Sequence, residues 1–253
     1  MTRVMAGFVA AIRFLTIFPC PGQLGSDGKD IAGSTPFFPV VGLFLGCIAA
    51  GLSWLFWTLF SSLVAAVLIT IVLMGFSGGL HLDGLADTAD GFLSTRPRSQ
   101  ILEIMRDSRI GAMGVIALVM LLLLKVTALS SLDRGQVVRA TLLVPIAGRC
   151  AIVLVIALLP YARKEGGLAT LFYSRRSWWI GAWAFLFFFL FALLIAGRSC
   201  LLPILFFILT VTAFALICKK IIGGATGDTL GAACELGEVC TALAFSALVW
   251  SSQ

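Results

Sequence analysis

The chain has little charge and no paired cysteine motif, and each shortage removes a class of protein. Asp, Glu, Lys and Arg make up 12% of the 253 residues, against about 25% in an ordinary soluble domain. Apolar residues make up 60% and mean hydropathy is +1.08. This excludes a soluble core and fits a polytopic membrane protein, in which one span takes about 20 apolar residues. The seven cysteines (20, 47, 150, 200, 218, 234, 240) include no CxxC pair and sit mostly within apolar runs. They fit small buried side chains, not a zinc site or a disulfide framework. No basic stripe with interleaved aromatics occurs, so the net charge of +6 does not point to nucleic acid. It fits membrane topology and an anionic substrate. No linker, low-complexity run or internal repeat divides the chain, which is expected to form one membrane domain over 1–253.

The first eighteen residues begin like a signal peptide, but Arg13 interrupts the apolar core and no small-residue cleavage site follows. They predict a short interfacial or re-entrant helix with Arg3 and Arg13 at the membrane boundary. A Pro/Gly-rich link, 19–39, comes next. The fold class is all-α: apolar runs predict about seven transmembrane helices, at 38–60, 63–76, 110–129, 137–159, 178–196, 201–218 and 233–250. Basic residues orient the set. Arg96, Arg98, Arg106 and Arg109 follow the second span, Arg163, Lys164, Arg175 and Arg176 the fourth, and Lys219 and Lys220 the sixth. The alternate loops hold only Arg134, Arg139 and Arg198. The basic side, with the amino terminus, is expected to be cytoplasmic.

Against this apolar background one polar stretch stands out, GGLHLDGLADTADGF at 78–92. A helix here places Asp83, Asp87 and Asp90 at i, i+4 and i+7, on one face and within reach of a common ion. Only twelve Asp and Glu occur in the chain, and three of them are here. An acidic loop is ordinarily just solvated, but that scarcity and the helical spacing favour a site. Carboxylates this close repel one another unless a cation lies between them, and oxygen ligands suit magnesium when the substrate carries phosphate. His81, two residues before Asp83, reads either as a structural histidine or as an orienter or proton acceptor.

A second acidic segment opens with Gly223-Gly224-Ala225-Thr226-Gly227-Asp228 and continues to Glu235 and Glu238. Gly224 and Gly227 before a helix start suit a phosphate cradle, with a small-residue packing seam as the plain alternative. Arg106 and Arg109 suit a pyrophosphate, or serve topology alone. Lys125 and Arg149 fall within predicted spans, where ionisable groups usually face a cavity or a partner; Lys125 has the further option of snorkelling. Together these features suggest magnesium-assisted transfer of a phosphate-linked group, with a carboxylate taking the proton of an attacking hydroxyl.

The strings GGLHLDGLADTADGF (78–92), RSQILEIMRDSRIGAMG (98–114), YARKEGG (161–167) and GGATGDTLGAACELGE (223–238) resemble the signature segments of the cobalamin synthase family, the adenosylcobinamide-GDP ribazoletransferases. PFFPVVGLFLG (36–46), Lys125 and Arg149 extend the resemblance over most of the chain. It implies a multi-pass inner-membrane enzyme, dependent on Mg2+, with its site on the cytoplasmic face. The substrates implied are adenosylcobinamide-GDP and α-ribazole or its 5′-phosphate. The ribazole 3′-hydroxyl attacks the phosphorus on the cobinamide side, GMP leaves, and adenosylcobalamin or its phosphate results. Asp83, Asp87, Asp90, Asp228 and Glu235 are the implied magnesium ligands. The implied catalytic set is Asp83, Asp87, Asp90 and His81, with the base open among the carboxylates. Arg106, Arg109, Lys125 and Arg149 would hold phosphates in a wide cavity. Membrane lipid is a further partner, nucleic acid is not, and a homo-oligomer is allowed.

Two other readings are weighed. Asp87-x-x-Asp90-Gly91 is similar to the CDP-alcohol phosphatidyltransferases, but those continue with Ala-Arg three residues after the glycine, where this chain has Ser94, Thr95 and Arg96. A transporter would place its acids at the bilayer midplane, often in repeated halves. Here no repeat is found, and the acids are expected at the ends of spans.

Overall fold

The computed structural model describes residues 2–163 and 166–250. In order, the helices are α1 (Thr2–Leu15), α2 (Gly28–Ala32), α3 (Phe38–Leu59), α4 (Ser62–Phe76), α5 (Leu80–Phe92), α6 (Arg98–Ile104), α7 (Ala112–Ser130), α8 (Arg134–Leu158), α9 (Thr170–Tyr173), α10 (Trp178–Ala196), α11 (Leu201–Ile222) and α12 (Gly227–Trp250). Among the described residues there is no β-strand, only an isolated parallel bridge between Tyr161 and Ala225. The Lys164 of the basic loop lies outside the described residues.

Helix α8 is the axis. Its side chains from Leu143 to Val153 are buried on every face, and α3, α10 and α12 pack around it. Small residues permit this: a side chain at Gly42 would sit 2.7 Å from the Pro145 carbonyl oxygen, and one at Gly46 would strike Leu142. Backbones approach this closely in membranes because dispersion and hydrogen bonding, not hydrophobicity, hold helices together there. Ser53 adds a hydrogen bond of 2.9 Å to Thr141 across the α3–α8 seam. The outer faces of α7, α10 and α11 expose Leu123, Leu186 and Leu209, so the bundle is clad in apolar side chains as a multi-pass membrane protein is.

By length and composition five stretches can cross a membrane, six if the bent pair α4–α5 counts as one. One of the five is 45 residues, Trp178–Ile222. Phe188 of α10 packs on Phe207 of α11 with ring centroids 4.0 Å apart. Nineteen residues of straight helix would hold them ~28 Å apart, so this stretch folds back at Gly197, where φ is +55°.

Two departures from the sequence reading matter for the site. Helix α4 is followed by a corner of 89° into α5, turned by Gly78 and Gly79 at φ +60° and +82°, a left-handed conformation that glycine adopts freely. The final helix begins at Gly227, not near 233, because Thr226 and Thr229 cap it reciprocally: the Thr226 amide donates to Thr229 Oγ1 at 2.8 Å and the Thr229 amide to Thr226 Oγ1 at 3.3 Å. Glu235 and Glu238 therefore lie ~12 Å and ~16 Å along it, within the bundle, and the expectation that all acids sit at span ends is corrected.

Candidate active site

Helix α5 crosses the first turns of α12 with backbone in contact. A side chain at Gly84 would lie 2.6 Å from the Asp228 carbonyl oxygen, and one at Gly231 would lie 3.1 Å from that of His81. This crossing carries Asp83 to the start of α12, beside Asp228. Arg163 reaches the same point from the loop after α8 and donates to Asp228 Oδ2 at 2.6 Å. Two backbone hydrogen bonds fasten that loop: the Ala225 amide to the Pro160 carbonyl (2.9 Å) and the Ala162 amide to the Ala225 carbonyl (2.8 Å). Arg98 ties both to α6, donating to Ile222 O at 2.7 Å and Ala162 O at 2.9 Å.

Two hollows open here. One, of about 230 Å³, is lined by His81, Asp83, Tyr161, Arg163, Gly227 and Asp228 with Phe14, Leu80 and Leu168. The other is an open groove of about 750 Å³ between α1, the Gly78–Gly79 corner and α7, lined by Arg13, Thr16, Ser77, Asp83 and Ile110, and again by Phe14 and Leu80.

The residues singled out from sequence fall into three groups. Asp83, Asp87 and Asp228 form the first. Asp83 is exposed at the junction of the hollows, and half-buried Asp87 lies within electrostatic reach of Asp83, Asp228 and Asp90. Gly227 lines the smaller cavity, and Arg106, in the turn after α6, is within electrostatic reach of Tyr161. Burial raises the Tyr161 phenol above its usual range, partly offset by Arg163.

The second group is committed elsewhere. Asp90 accepts from the amides of Gly111 (2.7 Å) and Gly114 (2.8 Å) and so caps α7. Gly224 makes room for the Pro160 carbonyl, which is a packing duty. Arg109 is bound to Asp107 at 2.6 Å on the surface, its side chain 87% exposed. That pairing pulls the Asp107 carboxyl down to about 2.

The third group is buried below the cavity. Lys125 of α7 donates to Glu235 (2.7 Å) and Glu238 (2.9 Å) of α12, and Arg149 of α8 donates to Glu238. Two cations and two anions thus cancel inside the bundle. The substrate role expected for Lys125 and Arg149, and the metal role expected for Glu235, meet a structure in which these groups are spent on one another. His81 lies between the cavity and this quartet, its Nε2 buried without a hydrogen-bond partner.

Sequence reasoning missed Arg163 and Arg13, which it read only as topology or boundary charges, and Tyr161. For Tyr161 and Arg163 the one signal was that YARKEGG, like both acidic segments, is expected on the basic side. Among the described residues no three His, Cys, Asp or Glu side chains form a ready-made metal site. The carboxylates of Asp83, Asp87 and Asp228 nevertheless offer the hard oxygen donors that magnesium takes. Magnesium is commonly held by only one or two carboxylates with substrate phosphate and water completing the shell, so the donor set fits.

A family model described as CobS, cobalamin-5-phosphate synthase, matches residues 7–246. Relatives named adenosylcobinamide-GDP ribazoletransferase include one from Desulforamulus reducens, 44% identical over 90% of this chain and 91% of its own. Another, from Chlorobium phaeovibrioides, is 40% identical over 95% and 97%, and one from Clostridium tetani is 35% identical over 98% and 99%. No solved structure matches.

Proposed function

The chain belongs to the CobS family, and from that premise we propose how its residues carry out adenosylcobinamide-GDP ribazoletransfer. The enzyme joins adenosylcobinamide-GDP to α-ribazole or its 5′-phosphate, giving adenosylcobalamin or its 5′-phosphate and GMP, the last assembly stage of cobalamin. One observation carries the placement: Asp83 and Asp228, from distant parts of the chain, meet with Arg163 at a single cavity.

The chemistry is a displacement at phosphorus. A bond forms between the ribazole hydroxyl oxygen and the phosphorus that bears cobinamide. The bond from that phosphorus to the bridging oxygen breaks, and GMP leaves with the electron pair. Asp83, exposed at the junction of the two hollows, accepts the hydroxyl proton. Arg163 and Arg106 grip the phosphates, Arg163 by exchanging Asp228 for a phosphate oxygen. Asp87 and Asp228, with Asp83, would hold magnesium, which when bound neutralises charge on the pyrophosphate. His81, with its unpartnered nitrogen, orients groups in the cavity.

The site lies at the end of the bundle where basic residues concentrate, which supports a cytoplasm-facing active site in the inner membrane. The test uses purified protein in detergent with magnesium, adenosylcobinamide-GDP and α-ribazole, and follows GMP release. Asp83→Asn is expected to lose at least ~100-fold in turnover, in the range typical of a lost general base, while inserting normally. No GMP release by the unaltered protein sinks the function, and wild-type turnover by Asp83→Asn removes Asp83 from the chemistry.

A further inference from the structure

Resting on the transfer reaction just given, we propose that the two hollows are separate subsites: the open groove takes the corrinoid end of adenosylcobinamide-GDP, and the smaller cavity takes the ribazole nucleoside. Asp83 is their common wall. It lines both, as do Phe14 and Leu80, and among the described residues no other does. A displacement brings its two partners to one phosphorus from different sides, and a wall shared by two chambers is where they can meet.

Size decides which partner takes which chamber. Sites for small molecules run roughly 300–1,000 Å³. A cavity of about 230 Å³ falls below that range and has no room for a corrin ring; a nucleoside that leaves part of itself at the mouth can enter. The groove is about 750 Å³ and open, so a macrocycle can seat one edge and overhang. The walls agree. The cavity alone offers Tyr161 to a flat base and Arg163 to a phosphate. The groove has an apolar rim, with Ile17 at 64% and Ile110 at 54% exposure, to meet the hydrocarbon edge of a corrinoid. Among the described residues its one cation is Arg13, which is already donating to the carbonyls of Cys20 and Gly22.

Two substitutions at exposed wall positions separate the subsites. Ile110→Trp narrows the groove and Leu168→Trp narrows the cavity. With GMP release measured against each substrate in turn, Ile110→Trp is expected to raise KM for adenosylcobinamide-GDP ~10-fold and leave that for α-ribazole within ~2-fold. Leu168→Trp is expected to do the reverse. The unmoved KM in each variant shows that the protein is folded. A crossed pattern, equal rises for both substrates or no rise in either variant overturns the assignment while the transfer reaction stands. Absence of GMP release from the unaltered enzyme overturns the reaction itself, and the assignment with it.

Discussion

Removing the ammonium of Lys125 tests whether the buried quartet is a structural pin or a ligand site. Lys125 is fully buried and serves two carboxylates at 2.7 Å and 2.9 Å. Glu238 retains Arg149 when Lys125 is lost, but among the described residues Glu235 keeps no ion pair of its own. Lys125→Met therefore leaves one uncompensated carboxylate inside the bundle. Breaking a buried pair from one side costs about 3–5 kcal/mol, which for a chain of this size lowers the unfolding midpoint by about 6–20 °C. Lys125→Met combined with Glu235→Gln restores neutrality and is expected to recover most of that loss, because a balanced apolar replacement of a buried pair is often neutral. The assay is thermal unfolding in detergent, read by loss of the monodisperse peak, with KM for both substrates measured at a permissive temperature. An equal midpoint for the single and double variants refutes the pin. So does a single variant of unchanged midpoint and raised KM, which would return Lys125 to the phosphate-holding role that sequence suggested.

Three further outcomes follow. Gly84→Ala puts a methyl group 2.6 Å from the Asp228 carbonyl oxygen, so the α5–α12 crossing must open; kcat is expected to fall at least ~10-fold, as misplacement near 1 Å can cost still more, and an unaltered kcat would show the crossing is not tight. Asp90→Ala removes the cap of α7 and should cost about 0.5–2 kcal/mol of stability, measured by the same unfolding assay, while Asp90→Asn should cost less. Asp107 is held down to about 2 by Arg109; a carboxyl so lowered favours the fold above its ordinary value and loses that contribution only as pH falls toward 2. The pair does not titrate in the working range, so Asp107→Asn is expected to leave the shape of the pH–rate profile unchanged from about pH 5 to about pH 9.

Much of the fold was legible because membrane helices announce themselves by composition. Apolar runs located α3, α7, α8 and α10 to within a few residues of their observed bounds. The start of α12 was not legible in that way: Gly227 to Glu238 is too polar to read as span, and only its capping threonines and its small residues against α5 and α8 make it one. The site was half legible. Scarce acids at helical spacing marked Asp83, Asp87 and Asp228, but the partner each carboxylate takes is a tertiary fact. The amides on Asp90 lie 21 and 24 residues downstream, and the ammonium on Glu235 lies 110 residues upstream. Nothing local distinguishes a carboxylate aimed at a ligand from one spent on a helix cap.

The quartet and the site share one helix, and that joins stability to function. Asp228, Glu235 and Glu238 fall at i, i+7 and i+10, on one face of α12. That face meets α5 at its first turns and α7 and α8 deeper in the bundle. Apolar side chains alone would let a membrane helix rotate or slide at little cost, since lipid tails are as apolar as leucine. Paired charges forbid it: a shift of one residue turns the face by about 100° and strips Glu235 and Glu238 of Lys125 and Arg149 together. The same turn would carry Asp228 away from Asp83 and Arg163. Ion pairs that add little net stability over an apolar core thus fix the register at which carboxylates from distant segments face a common cavity.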